Sequence, residues 1–333
     1  MLADGAVTQH IKPMKPVICN YYLTYRCNAQ CHFCAIWPDK SVPADLESTP
    51  ETVAANLDDA RSAGVRIVDF TGGETLLYEA LPDVLAHAKG IGLRTTVTTN
   101  GIRYPVRARE IAGLVDILQF SLQAADRSGH DAVTITPSFD DIMTGVEKAR
   151  SIGERPTFIH TVTDTNIGAV PDVIALARAH KIPLFLNPCF SYAGTQGLSR
   201  DNAIQLKKLA RGPWVTADRG FINFIIDGGN RSRKPFCRAV SSVIVISPDN
   251  RLILPCFHNR TGGISLDRGL AHALASDERA REMQREGRHP FCEGCTVYCY
   301  LRASLFRSPN RYFLPSILSA VKYLWILGHA KKV

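Results

Sequence analysis

The first fifteen residues contain no apolar run; Asp4, His10, Lys12 and Lys15 interrupt them. That excludes a secretory signal peptide and points to a cytoplasmic, reducing compartment. Helix-turn-helix spacing, RNP-like aromatic strands and basic repeats are missing, so nucleic acid is not an expected partner. Internal repeats and low-complexity tracts are absent too, and with charged residues at 21% nothing indicates wholesale disorder. What is present is a 333-residue chain, 45% hydrophobic, long enough for one main domain and a smaller appendage. The formal charge of +8 reads as an ordinary solvated surface, except near the C-terminus.

Short apolar runs alternate with amphipathic, helix-length segments from Val17 to Tyr192. Strands are expected at Val17–Thr24, Arg66–Phe70, Arg94–Thr99, Ile117–Leu122, Thr157–Val162 and Leu184–Pro188. Helices are expected near Thr49–Ala63, Leu81–Lys89, Val106–Ala112, Phe139–Ser151 and Ala169–His180. This α/β order predicts a parallel sheet backed by helices, and six such strands fall short of a closed eight-stranded barrel. A partial (β/α)6 TIM-like barrel follows. The expected division is an extension over 1–16, the barrel core over 17–192, a substrate-side linker over 193–236, a small α+β module over 237–305 and a tail over 306–333. The module is expected to hold a hairpin around Ser-Pro-Asp-Asn and a helix near Leu266–Glu286.

Ten cysteines in a reducing compartment are better metal ligands than disulfide partners. Cys27, Cys31 and Cys34 follow the first strand as Cys-x3-Cys-x2-Cys. Structural zinc wants four ligands, so three thiolates without a nearby fourth fit a [4Fe-4S] cluster with one open iron better. The plainer alternatives are a zinc-stapled loop or three buried cysteines.

With Phe33 at the aromatic position, the triplet resembles the motif of the radical S-adenosylmethionine (SAM) superfamily. The resemblance implies that the open iron binds SAM, which the reduced cluster cleaves to methionine and a 5′-deoxyadenosyl radical. It continues at Gly72-Gly73-Glu74, where the family binds the SAM amino group, and at Asn100, Ser121 and Asn166, each at or just beyond a strand end. Gln123-Ala124 stands where relatives often have Asp-Gly, and His130-Asp131 lacks the Arg that often follows. For Asn100 and Asn166 the plainer reading is turn formation.

Cys237, Cys256, Cys292, Cys295 and Cys299 form a second set. With the hairpin, their spacing resembles the twitch and SPASM auxiliary-cluster modules of radical SAM enzymes. Five cysteines suit one further [4Fe-4S] cluster, with Cys237, Cys256, Cys292 and Cys295 as the preferred four; an all-thiolate zinc site is the alternative. Cys19 and Cys189 read as core residues.

Tyr312–Gly328 is apolar but interrupted by Pro315 and Lys322, and too short for a spanning helix. It could lie flat on a membrane beside Arg307, Arg311, Lys322, Lys331 and Lys332, pack over the open barrel end, or cover a hydrophobic substrate. The expected activity is oxidation of a small, non-peptide, lipid- or tetrapyrrole-like molecule, with an external electron donor such as flavodoxin or ferredoxin. No leader-peptide domain or cobalamin domain is expected. The alternatives are a peptide-maturing radical enzyme and a non-catalytic iron–sulfur scaffold or redox sensor.

Overall fold

The computed structural model describes residues 15–36, 43, 45–192, 196–259, 262–306 and 309–329. Most of the expected N-terminal extension, and Arg307, Lys331 and Lys332 of the tail, lie outside these residues.

Six parallel strands form the body of one sheet: β1 (Ile18–Thr24), β2 (Ile67–Gly72), β3 (Arg94–Thr99), β4 (Ile117–Ser121), β5 (Pro156–Val162) and β6 (Leu184–Pro188). Along β2, β3, β4 and β6, buried residues alternate with partly exposed ones. The period of two sends Val68, Phe70, Val97, Phe120 and Leu184 into the main core. It turns Asp69, Thr96, Gln119 and Asn187 to the opposite, inner face, which leaves a polar hollow inside the curve.

The helices obey their caps. Thr49 accepts the N–H of Thr52 ahead of the helix Pro50–Ala63. The expected helix near Val106–Ala112 shortens to Tyr104–Arg107, with Arg107 turned inward to donate to the carbonyls of Leu76, Tyr78 and Glu79. The single helix expected near Leu266–Glu286 is two, Leu270–Leu274 and Asp277–Arg285, because Ser276 caps the second by accepting from Arg279. A helix without a matching expectation, Arg127–Thr134, is capped by Asp126.

Both edges of the sheet are extended. The two-residue β7 (Val215–Thr216) lies beside β6. On the other edge β8 (Val243–Ile246) pairs in parallel with β1, and β9 (Arg251–Leu254) and β10 (Gly262–Ser265) continue antiparallel. The hairpin expected in its own small module therefore belongs to the main sheet. The reason is visible in β8: Val-Ile-Val-Ile is apolar on both faces and needs cover on both. Ile244 and Ile246 enter the main core, while Val243 and Val245 join a second core with Tyr22, Phe257, Val297 and Tyr300.

The C-terminal helix Phe313–His329 rests on the helix Arg219–Ile226 and on β7. Its small and polar residues face inward: Ser316 donates to Asp218 at 2.7 Å, and Ser319 accepts from the Arg219 N–H at 3.1 Å. Tyr323 reaches the hollow, where its hydroxyl accepts from Gln119 at 3.4 Å. Leu314, Leu318, Val321, Leu324 and Trp325 point outward, each 56–61% exposed. Among the described residues no helix is long and apolar enough to cross a membrane.

Candidate metal and cofactor centre

Cys27, Cys31 and Cys34 sit on the loop leaving β1, at the carboxyl end of the parallel strands. That loop is tied down along its length. The backbone N–H groups of Gly73 and Glu74 donate to the carbonyls of Thr24 and Arg26 at 2.8 and 2.7 Å. Gln30 and His32 donate to the carbonyls of Thr134 and Val133. Asn100 reaches in from the end of β3, its side-chain amide donating to Asn28 at 2.7 Å.

The two glycines serve this junction. A Cβ on Gly72 would stand 2.1 Å from the Thr24 carbonyl oxygen, and one on Gly73 2.0 Å from that of Arg26. Their close approach is to the first strand's own backbone. Glu74 is 2% exposed, and its carboxylate accepts from Leu76 N, Thr99 Oγ1 and Asn100 N at 3.0, 2.7 and 2.7 Å. Burial raises its pKa despite these donors. Three bonds leave one of the carboxylate's roughly four lone-pair directions for a ligand.

The remaining expected residues divide. Phe33 is half-buried in the cysteine loop, and Ser121 ends β4 with its hydroxyl unbonded among the described residues. Asn166 closes its own turn, accepting from Thr163 N and donating to the Thr161 carbonyl, both at 2.8 Å. Gln123 is buried and joins β4 to β5 by accepting from Thr161 N. His130 is buried and bonded at both ring nitrogens, to Gln123 N and Ser138, and burial holds its pKa down at about 4. It buttresses the loop as a neutral imidazole.

The electrostatics of the triplet fit a cationic cluster. Burial, then mutual repulsion, pushes Cys31 up to about 12; burial pushes Cys27 up to about 11, with Glu74 and Cys34 adding to it. Thiolates crowded in this way are stabilised by a metal that shares their charge. Two backbone amides already point at sulfur, Ala29 N to Cys27 Sγ and Ile36 N to Cys34 Sγ, each at 3.4 Å.

In the second set, Cys237, Cys256, Cys292 and Cys295 line one cavity, and Cys299 is not among its walls. Burial raises the Cys237 thiol far above its usual range, with Cys295 and Cys256 adding repulsion. Asn230 assembles this site. Fully buried, it donates to the carbonyls of Gly287 and Cys292 and accepts from Phe236 N and Cys237 N, all within 2.9–3.0 Å. Sequence reading passed over Asn230; its signal is the Gly228-Gly229-Asn230 turn seven residues before Cys237. Cys19 is wholly buried in the main core, and Cys189 is half-buried beyond β6.

A family model, that of the Radical SAM superfamily, matches residues 21–177, the span that carries the triplet and the strand ends around it. Residues 21–177 thus form a radical SAM domain. Relatives in sequence include the GTP 3′,8-cyclase of Mycobacterium ulcerans (strain Agy99), 34% identical over 167 residues, or 47% of this chain and 44% of that protein. The Fe-coproporphyrin III synthase of Methanosarcina barkeri (strain Fusaro / DSM 804) is 25% identical over 207 residues, 61% of this chain and 51% of that protein. The chain thus spans about half the length of these relatives. The likeness in fold extends further than the likeness in sequence. Streptococcus suis SuiB superposes with a TM-score of 0.64 at 16% identity, covering 86% of this chain and 72% of SuiB. The structure of anSMEcpe with bound AdoMet gives 0.64 at 14%, covering 96% and 100%.

Proposed function

We propose that this protein is a radical SAM oxidoreductase that removes hydrogen from a hydrophobic, non-peptide small molecule of lipid or tetrapyrrole type. The observation that carries the reading is the convergence of Cys27, Cys31 and Cys34 with Glu74 and Asn100 at one mouth of the sheet, directly above the polar hollow. With a [4Fe-4S] cluster and SAM bound there, one-electron cleavage of SAM supplies a 5′-deoxyadenosyl radical that takes a hydrogen atom from the substrate. The chain's own part is placement. Cys27, Cys31 and Cys34 would hold three irons, and the amides of Ala29 and Ile36 stabilise charge on sulfur. Glu74 keeps an acceptor direction for an ammonium, and Ser121 offers a hydroxyl that none of the described residues engages.

Cys237, Cys256, Cys292 and Cys295 would hold a second [4Fe-4S] cluster, and Asn230 fixes the spacing of their two segments. The second core, packed with Tyr22, Phe257 and Tyr300, lies between the two cysteine sets. A low-potential donor such as flavodoxin or ferredoxin is the expected electron source, in the cytoplasm. The C-terminal helix meets an anionic membrane surface through its outward apolar stripe. Supporting this, the last forty residues hold six Lys and Arg and no Asp or Glu, and Lys322 stands beside Arg219 and Arg178.

Anaerobic reconstitution tests the reading. Dithionite-reduced protein with SAM should release 5′-deoxyadenosine, and Cys31→Ala should release none. Release that is absent from the wild type, or unchanged in Cys31→Ala, sinks it. Iron and sulfide should each approach about eight per chain. About four iron with one zinc would assign the second set to a structural zinc site instead.

A further inference from the structure

Neither cysteine set uses the side chains that line the hollow. Asp69 on β2 lies opposite Asn20 on β1 in the strand register, and Thr96 on β3 donates to Asp69 at 2.5 Å. The helix Tyr298–Leu305 borders the same space and turns Cys299 and Arg302, three residues apart, toward Asp69. Both side chains lie amid protein atoms and yet are exposed, as groups facing an open internal space are.

Donors and acceptors are out of balance here. Arg302 senses the charges of Tyr298, Asp218, Tyr323 and Asp69, but among the described residues it makes no hydrogen bond or ion pair. Its guanidinium carbon stands 6.0 Å from the centre of the Tyr298 ring. Asp218 cannot serve it well, because its oxygens already accept from Phe221 N, Ser316 and the Tyr298 hydroxyl. Asn20 is 4% exposed, and its amide nitrogen has no partner among the described residues. A five-donor fork and an orphaned amide therefore face a space whose acceptors are Asp69, already bonded by Thr96, and the Oδ1 of Asn187, which has no partner among the described residues. An arginine fork held only by water inside such a space can exchange that water for a planar anion, which fits its paired N–H groups best.

We propose that the hollow is a binding site for a carboxylate carried by the substrate, with Arg302 as its bidentate partner and Asn20 as an added donor. The inference rests on the radical SAM oxidoreductase reading and deepens it by naming the substrate class. A single-charged planar carboxylate matches the Arg fork, whereas a phosphate dianion would meet Asp69 with twice the repulsion.

Equilibrium dialysis of the reconstituted, SAM-loaded protein tests this with benzoate and its neutral isostere benzamide. Benzoate should bind at least about tenfold more tightly than benzamide. Arg302→Gln should erase that preference, and Arg281→Gln, on the exposed face of another helix, should leave it intact. If Arg302→Gln does not fold, Asn20→Leu is read instead and should reduce the preference by about three- to tenfold. Equal binding of benzoate and benzamide to the wild type, or a preference undiminished in the variants, overturns the site. Wild-type protein that prefers benzoate but releases no 5′-deoxyadenosine overturns the functional reading and leaves the carboxylate site standing.

Discussion

Asp69 shows what a residue can carry that its sequence neighbours do not reveal. It occupies a strand position flanked by Val68 and Phe70, both wholly buried on the other face. Burial pushes its pKa up to about 6; the bond from Thr96 and the charge of Arg302 only partly offset that. The folded chain therefore binds the proton more tightly than the unfolded chain, whose carboxyl titrates near its ordinary value of about 3.9. The stability this group contributes is full below that value and is lost as pH rises through about 6. Asp69→Asn should thus gain about 1–2 kcal/mol over wild type at pH 7.5 and almost nothing at pH 4, read from urea midpoints at both pH values. A variant less stable than wild type at pH 7.5 would show that attraction to Arg302 outweighs burial. The same scale explains why Glu74, Asn100 and the triplet stand out as candidates in the sequence. Their chemistry is written in residue type and spacing, while Asp69, Asn20 and Arg302 matter only because strands and helices bring them together.

At the scale of elements, the junction between β1 and β2 positions the cysteine loop. Gly72 and Gly73 let the end of β2 press on the carbonyls of Thr24 and Arg26, and Gly72 adopts a φ of 139°. Gly73→Ala would drive a methyl into the Arg26 carbonyl, so the strand ends must part. The expected outcome is selective: reconstituted iron falls from about eight to about four per chain while the Cys237 set still loads. Iron analysis with electron paramagnetic resonance checks this, and full loading of both sets would show that the junction yields without cost. The parallel strands and their crossover helices could be read from periodicity, caps and glycines. The split at Ser276 was less visible, because a helical apolar pattern runs through it and one cap decides the break.

At the scale of the molecule, the C-terminal helix joins two surfaces. One side inserts Tyr323 into the hollow beside Gln119 and Phe185, and the other displays the stripe from Leu314 to Trp325. Deleting the helix would disturb both, so point substitutions separate them. Leu318→Glu with Trp325→Glu should abolish sedimentation with anionic phosphatidylserine vesicles and leave thermal stability within about 0.5 kcal/mol, since both side chains are exposed. Unchanged sedimentation would remove the membrane contact from the proposed function.

By itself the sequence determined the spacing of the cysteines at the mouth of the sheet and the repeating α/β frame beneath it. Both depend on short-range facts, ligand spacing within one loop and apolar periodicity within one element. Only the tertiary structure decided that β8 continues the main sheet, that Cys299 stands apart from the cavity of the other four cysteines, and that Arg302 faces a polar hollow. The reason is common to all three. Each is a contact between segments tens to hundreds of residues apart, set by which buried faces need cover and which polar groups need partners.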